Sequence, residues 1–217
     1  MSFRHLITPI DLDQWPRRSH YEFFRAFDQP FFDVACRIDV TPIFASPQKE
    51  RHGLFATLTH TVLAAANDTD ALCLRFRGDE VYRVKCNHAS FTVLGEGDLF
   101  NYATAIFHPD LGAFAERIKE ASAQSRDQEG INLKDDRRPD LIYITCLPWL
   151  DFESIRHPMM GDDDDCTPRI AWGKVVPDGD GGFQTCLQLT IHHALADGVH
   201  AAVFFDALKQ RIASFRT

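Results

Sequence analysis

The chain has no apolar run approaching the length of a membrane-spanning helix, which argues against a helical integral membrane protein. Basic residues are in deficit: 23 Lys and Arg face 31 Asp and Glu, a formal net charge of −8. That balance argues against non-specific nucleic-acid binding and means that a phosphate-bearing cofactor needs a local basic patch. No two cysteines have C-x-x-C spacing. The six, at 36, 73, 86, 146, 166 and 186, are scattered through mostly apolar strand-like runs and read as reduced core residues. No serine or cysteine is paired with a base in the manner of a nucleophile elbow, so no acyl-enzyme is called for. There is no internal repeat, low-complexity tract or linker, and residues 1–217 are expected to form a single domain. The opening Met1–His5 lacks the apolar stretch of a signal peptide, so the expected location is the cytoplasm.

What is present suits a folded soluble chain, with 45% hydrophobic residues and length enough for one full core. Asp13 and Pro16 predict a helix start, followed by an aromatic face of Tyr21, Phe24, Ala26 and Phe27. Residues 33–40 read as a strand, and 53–67 as a helix burying Leu54, Leu58, Val62 and Ala65. A hairpin through Gly78-Asp79 joins 72–76 to 81–85, and 91–94 is a short further strand. Leu111, Phe114, Ile118 and Ala121 give 109–125 a helical face, and the charged stretch 124–140 reads as a loop. The buried strand 141–146 leads to Trp149 and Ser154. The run Asp162–Asp165 has no calcium-loop spacing and reads as a solvated acidic loop. Strand 168–176, a turn at 178–182 and strand 183–193 form a closing hairpin. This order implies an α/β (α+β) two-layer sandwich: one mixed, largely antiparallel sheet with helices on one face.

The chemistry concentrates at the end of that hairpin, in Thr190-Ile191-His192-His193-Ala194-Leu195-Ala196-Asp197-Gly198-Val199-His200. Phe183, Leu187, Leu189 and Ile191 share one strand face, and Gln184, Gln188 and Thr190 the other. Alternation sends His192 and His193 to opposite faces, with His193 on the side of Leu189 and Ile191. An imidazole partly desolvated there is neutral near pH 7, which suits a general base. Asp197 stands near the start of a helix, where exposed N–H groups favour its charge. Val199, Val203, Phe204, Leu208 and Ile212 give that helix its apolar face.

His-His-x-x-x-Asp-Gly at the end of a late strand resembles the active-site motif of the chloramphenicol acetyltransferase family and of its wider relatives among CoA-dependent acyltransferases. Asp11–Phe24, with Trp15, Arg17, His20 and Tyr21, is similar to that family's N-terminal segment. Leu147–Ser154 is similar to its Pro-Trp-x-x-Phe-x-Ser stretch, and Thr167-Pro168 with Gly173-Lys174 to its next strand. The similarity runs in order along nearly the whole chain.

The resemblance implies direct transfer of an acetyl group from acetyl-CoA to a hydroxyl of a small acceptor, chloramphenicol or a similar antibiotic. It implies no metal, and it implies a homotrimer with active sites between subunits. His193 is the implied general base, Ser154 the oxyanion donor, and Arg17 the ion-pair partner of Asp197, fixing the turn that presents His193. Phe24, Phe32 and Leu94 are the expected acceptor-binding residues and Lys174 the expected CoA contact. Three positions depart from the family: Ala171 replaces a threonine, Val175 a tyrosine on the adenine, and Gly53 a lysine near the 3′-phosphate. Competing readings are a dihydrolipoyl acyltransferase core, a trimeric binding protein that sequesters apolar drugs, and metal-dependent hydrolysis through His192, His193, Asp197 and His200. Divergent strand histidines cannot readily share one metal, which weighs against the last.

Overall fold

The computed structural model describes residues 3–128, 130–131, 138–159, 161 and 164–216. In chain order the elements are β1 (Ile7–Pro9), α1 (Arg18–Arg25), β2 (Phe31–Asp39), α2 (Thr41–Ala45), α3 (Pro47–His52), α4 (Leu54–Asp68), β3 (Leu74–Arg77) and β4 (Glu80–Val84). There follow β5 (His88–Leu94), β6 (Phe100–Ala105), α5 (Leu111–Arg126), β7 (Leu141–Cys146), β8 (Arg169–Trp172), β9 (Val176–Pro177), β10 (Phe183–His192) and α6 (Gly198–Ala213). The main sheet has the order β2-β10-β8-β7-β5-β6, with β9 also on β10. Its β5–β7 and β7–β8 pairs are parallel and the others antiparallel, so the sheet is mixed, as expected.

One face of this sheet carries the helices. Leu187, Leu189 and Ile191 of β10 meet Leu58, Val62, Leu63 and Ala65 of α4 and Phe204, Leu208 and Ile212 of α6 in one core cluster. Helix α4 is buried on nearly every side, so its polar groups need partners within the helix. Thr57, Thr59 and Thr61 donate their hydroxyls to the carbonyls of Gly53, Phe55 and Thr57, four residues back. Gly53 precedes this helix at φ +82°, where a lysine would be strained. In α6, Val199 and Val203 do not join the apolar face as expected; both are exposed, and Ala201 and Phe205 are buried instead.

The expectation of a single sheet needs correction. The 74–84 hairpin pairs with β1 and forms a separate three-stranded sheet, β1-β4-β3. It has its own core, in which Tyr21, Leu74, Phe76, Val81 and Cys166 pack with Ala194 and Leu195. The small sheet and α1 therefore buttress the turn that follows β10. Helix α1 begins at Arg18, later than predicted. Asp13 folds back onto Arg18, and Arg17, the residue before the helix, commits its side chain to the far end of the chain. Strand β6 was not expected: it buries Asn101, Ala103 and Ala105 and turns Phe100 and Tyr102 outward, an inverted size pattern.

Of the 124–140 stretch, Arg126 closes α5, while 129 and 132–137 lie outside the described residues. Asp162 and Asp163 of the acidic run also lie outside them. Asp164 and Asp165 are half-buried and engaged, not solvated: Asp164 accepts the Gly78 N–H at 2.7 Å and Asp165 pairs with Arg169. All six cysteines are free. Among the described residues no helix is long and apolar enough to cross a membrane.

Candidate active site

Strand β10 ends at His192, one residue earlier than predicted, and His193 opens the turn that leads to α6. The change is enforced by hydrogen bonds. The His192 carbonyl accepts from the N–H groups of Leu195 and Ala196 at 3.0 and 3.2 Å, and His192 Nδ1 accepts from Ala194 N–H at 3.2 Å. The backbone N–H of His193 donates to Pro30 at 2.7 Å, the last tie to the segment entering β2.

The two imidazoles have different surroundings. His192 is buried edge-on to Phe31 and Phe76. Burial, with help from the charge of Arg25, lowers its pKa to about 4, so at neutral pH it is an uncharged ring that organises the turn. His193 is half-buried. Its ring stacks on Phe24, with centroids 3.8 Å apart and planes 6° from parallel, and leans on Phe32 at 4.7 Å. Phe32 stands opposite Ile191 in the β2–β10 ladder. The His193 Nδ1 is buried with no hydrogen-bond partner among the described residues.

Arg17 closes the turn from the other end of the chain. Its Nη1 donates to Asp197 Oδ2 at 2.7 Å, its Nη2 to the His193 carbonyl at 2.8 Å, and its Nε to the Ala194 carbonyl at 3.1 Å. One planar guanidinium thus holds the two successive carbonyls of His193 and Ala194 together with the carboxylate that caps α6. Asp197 also caps α6, its Oδ1 accepting the Val199 N–H at 3.1 Å. Burial raises its pKa, but hydrogen bonds from Arg17 and His200 and their charges outweigh that and lower it to about 2. His200 Nδ1 lies 2.8 Å from Asp197 Oδ1 and 3.2 Å from the Asp197 backbone nitrogen. These are the two contacts of a capping box at the start of α6. The spacing Asp-x-x-His, an N-cap residue and its third helical neighbour, was the signal for His200.

Ser154 does not approach His193 within one chain. It is exposed, and its side chain makes no hydrogen bond among the described residues. Its neighbours are tied to the middle of β10, Glu153 by Cys186 and Ile155 by Gln188. That placement leaves Ser154 about six strand residues, roughly 20 Å, from His193. Leu94 is also distant within the one chain, as residues of a site shared between subunits can be. It ends β5, three strands from β10 and on the far side of the register, roughly 20 Å along the strands and about 14 Å across them. Ser154 and Leu94 sit at the same level of the sheet, on the face away from the helices. His193, Phe24 and Phe32 form one constellation, and neither Ser154 nor Leu94 joins it within the chain.

Lys174 is exposed, with its backbone N–H on the Leu150 carbonyl at 2.8 Å. Gly173 beside it is required by space, because a Cβ there would meet the Leu150 carbonyl oxygen at 2.6 Å. Ala171 is buried in β8 opposite Gln188, and Val175 packs on the main core.

The class is a mixed α/β sandwich with a histidine braced at the end of its penultimate element, and comparison with known proteins is more specific. The family model described as chloramphenicol acetyltransferase matches residues 5–209, and the chain belongs to that family, whose members are O-acetyltransferases. Chloramphenicol acetyltransferase 2 of Escherichia coli is 23% identical over 203 residues, covering 93% of this chain and 95% of that protein. A solved chloramphenicol acetyltransferase superposes with a TM-score of 0.85 at 20% identity, over 95% of this chain and 99% of that one. The truncated catalytic core of the 2-oxoacid dehydrogenase multienzyme complex from Thermoplasma acidophilum shares the fold at a TM-score of 0.67 and 18% identity, over 93% and 96% of the two chains.

Proposed function

We propose that residues 1–217 act as one acyltransferase domain that assembles as a homotrimer and moves the acetyl group of acetyl-CoA to a hydroxyl of chloramphenicol or a similar antibiotic. The observation that carries this reading is the Arg17-braced turn, which holds one imidazole between two aromatic rings at the end of an interior strand. A hydroxyl is a weak nucleophile at neutral pH, so a base must take its proton as it attacks the thioester carbonyl. His193 Nε2 is that base. Its Nδ1 is buried, which leaves Nε2 as the working nitrogen. As the new C–O bond forms, the carbonyl oxygen becomes an anion, and the Ser154 hydroxyl donates to it. The C–S bond then breaks, and the proton on His193 passes to the departing CoA sulfur. Arg17 and Asp197 position; they do not touch the reacting atoms.

The separation of Ser154 from His193 supports the trimer. A second chain is needed to bring a Ser154 hydroxyl, with Leu94 at the same level, to the first chain's His193, Phe24 and Phe32. Acetyl-CoA fits beside the exposed Lys174, in a chain otherwise short of positive charge. The test is thiol release from acetyl-CoA against a panel of hydroxylated antibiotics that includes chloramphenicol, with His193→Ala alongside. Acceptor-dependent thiol release that the variant abolishes, with fold and assembly intact, is the expected result. Tight antibiotic binding with no thiol release would mark a sequestering protein, and near wild-type turnover in His193→Ala would remove the base.

A further inference from the structure

The buried face of β10 contains a side chain that none of the proposed steps uses. Gln188 is 1% exposed, in the middle of the strand. Its Oε1 accepts the Ile155 N–H at 2.8 Å, and its Nε2 donates both to the Ile155 carbonyl and, at 3.1 Å, to Asp33 Oδ1. The same Asp33 oxygen accepts the Thr190 hydroxyl, so the amide cannot flip without placing like groups together. One glutamine side chain thus makes the two bonds that a neighbouring strand would make to Ile155. On the other side of Ser154, the Glu153 carbonyl accepts from Cys186 Sγ at 3.5 Å. Ala171, the small residue opposite Gln188 on β8, leaves room for the amide on this face.

We infer that Gln188 is a positioning residue for Ser154: it fixes the backbone beyond Ser154 so that an unbonded, exposed hydroxyl keeps one direction. This rests on the reading of Ser154 as oxyanion donor. Residues 147–159 are irregular, and a serine on such a segment holds its place only if the backbone around it is tied down. Both ties come from β10, the strand whose end presents His193. In the trimer, β10 would therefore orient the base of one site and the oxyanion donor of another. The plainer role for Gln188 is to satisfy two buried backbone groups, in which case its loss costs stability and leaves turnover per folded enzyme unchanged.

The experiment compares Gln188→Leu and Gln188→Asn in the wild-type and Ser154→Ala backgrounds, using acetyl-CoA and chloramphenicol. The asparagine is one methylene short of Ile155 and carries the test if the leucine variant does not fold. Hydrogen exchange at the Ile155 amide is read in parallel and needs no acceptor. The expected result is faster exchange at Ile155 with the Leu187 and Leu189 amides still protected. With it, kcat falls by about ten- to a hundredfold, with little change in either KM. The fall in kcat should vanish in the Ser154→Ala background. Unchanged exchange at Ile155, unchanged kcat despite faster exchange, or the same loss in both backgrounds overturns the inference. Full turnover in Ser154→Ala alone instead overturns the reading of Ser154, whatever Gln188 does.

Discussion

Replacing Arg17 with alanine removes three hydrogen-bond donors from the turn that carries His193, and the cost can be worked from their surroundings. The Arg17 side chain is 13% exposed and that of Asp197 is 32% exposed. Hydrogen bonds to charged groups are worth about 1.5–3 kcal/mol each when fully desolvated. Here the sum is smaller, because water reaches the Asp197 carboxylate once the guanidinium is gone. About 3 kcal/mol is expected for Arg17→Ala. Asp197→Asn keeps an acceptor for the Val199 N–H and leaves Arg17 on the His193 and Ala194 carbonyls, so about 1–2 kcal/mol is expected. The carboxyl itself gives a second route. Its fall from 3.8 to about 2 corresponds to about 2.5 kcal/mol unscreened, and to about 1–2 kcal/mol with a third of the side chain in water. The two routes agree.

The assay is a double-mutant cycle on urea unfolding at fixed protomer concentration, with kcat measured on each variant. A coupling of about 1 kcal/mol or more is expected, since each single change strands the partner left behind. The sign with pH follows from the lowered carboxyl. Its contribution is fully present above the unfolded value near 4 and is lost as pH falls through about 2. The gap between wild type and Arg17→Ala should therefore narrow below about pH 4. Activity should fall in every variant, because the His193 backbone is no longer clamped. Losses that add within about 0.5 kcal/mol, or an unchanged kcat in Arg17→Ala, would refute a brace built on this pair.

Three further outcomes follow from single contacts. Burial holds the His192 pKa at about 4 against 6.5 unfolded, so the unfolded chain binds the extra proton between those values, and the stability from the neutral ring is lost as pH falls through the window. His192→Asn should flatten that dependence by roughly 3 kcal/mol between pH 7 and 4, and a slope identical to wild type in urea titrations would count against it. Ser154→Ala should lower kcat by roughly a hundredfold with small effects on KM, whereas a loss confined to KM would make Ser154 a binding residue. Gly173→Ala drives a methyl into the Leu150 carbonyl at 2.6 Å; a loss of about 1–3 kcal/mol with reduced kcat is expected, and a wild-type melting curve would contradict the packing.

The motif and the helical face of β10 were legible in the sequence because both follow a short period: alternation placed Leu187, Leu189 and Ile191 on the core, and the buried strand 141–146 matched its bounds. Other features were hidden for physical reasons. Strand β6 places its large residues outward and its small ones inward, so the usual size signal is reversed. The start of α1 is set by a tertiary bond from Arg17, 180 positions from its partner, not by the local Asp13 and Pro16 signals. The separation of the 74–84 hairpin into its own sheet depends on pairing with β1, which no spacing reveals. Leu94 was expected near the acceptor from the resemblance alone, and its separation from His193 by three strand spacings within one chain is a tertiary fact that no local pattern carries.

The polar face of β10 shows why alternation alone is an incomplete guide to a site. Gln188 and Thr190 lie opposite the core residues, yet both are buried, Gln188 against the segment that carries Ser154 and Thr190 against Asp33. A polar group hidden from water must find partners, and on this face both do: Thr190 on Asp33, and Gln188 on Ile155 and Asp33. Apolar residues at these places would bury as much surface, but they would give an irregular segment no fixed direction, because apolar contacts are not directional. Hydrogen bonds are directional, and on this face those of Gln188 and Cys186 are aimed at the two residues either side of Ser154. The strand therefore divides its labour by side: its inner face binds the helices and stabilises the fold, and its outer face fixes backbone that leaves the sheet. His193 and Ser154 depend on the same ten residues of β10 at places roughly 20 Å apart, so a shift of that strand by a single register would displace both at once.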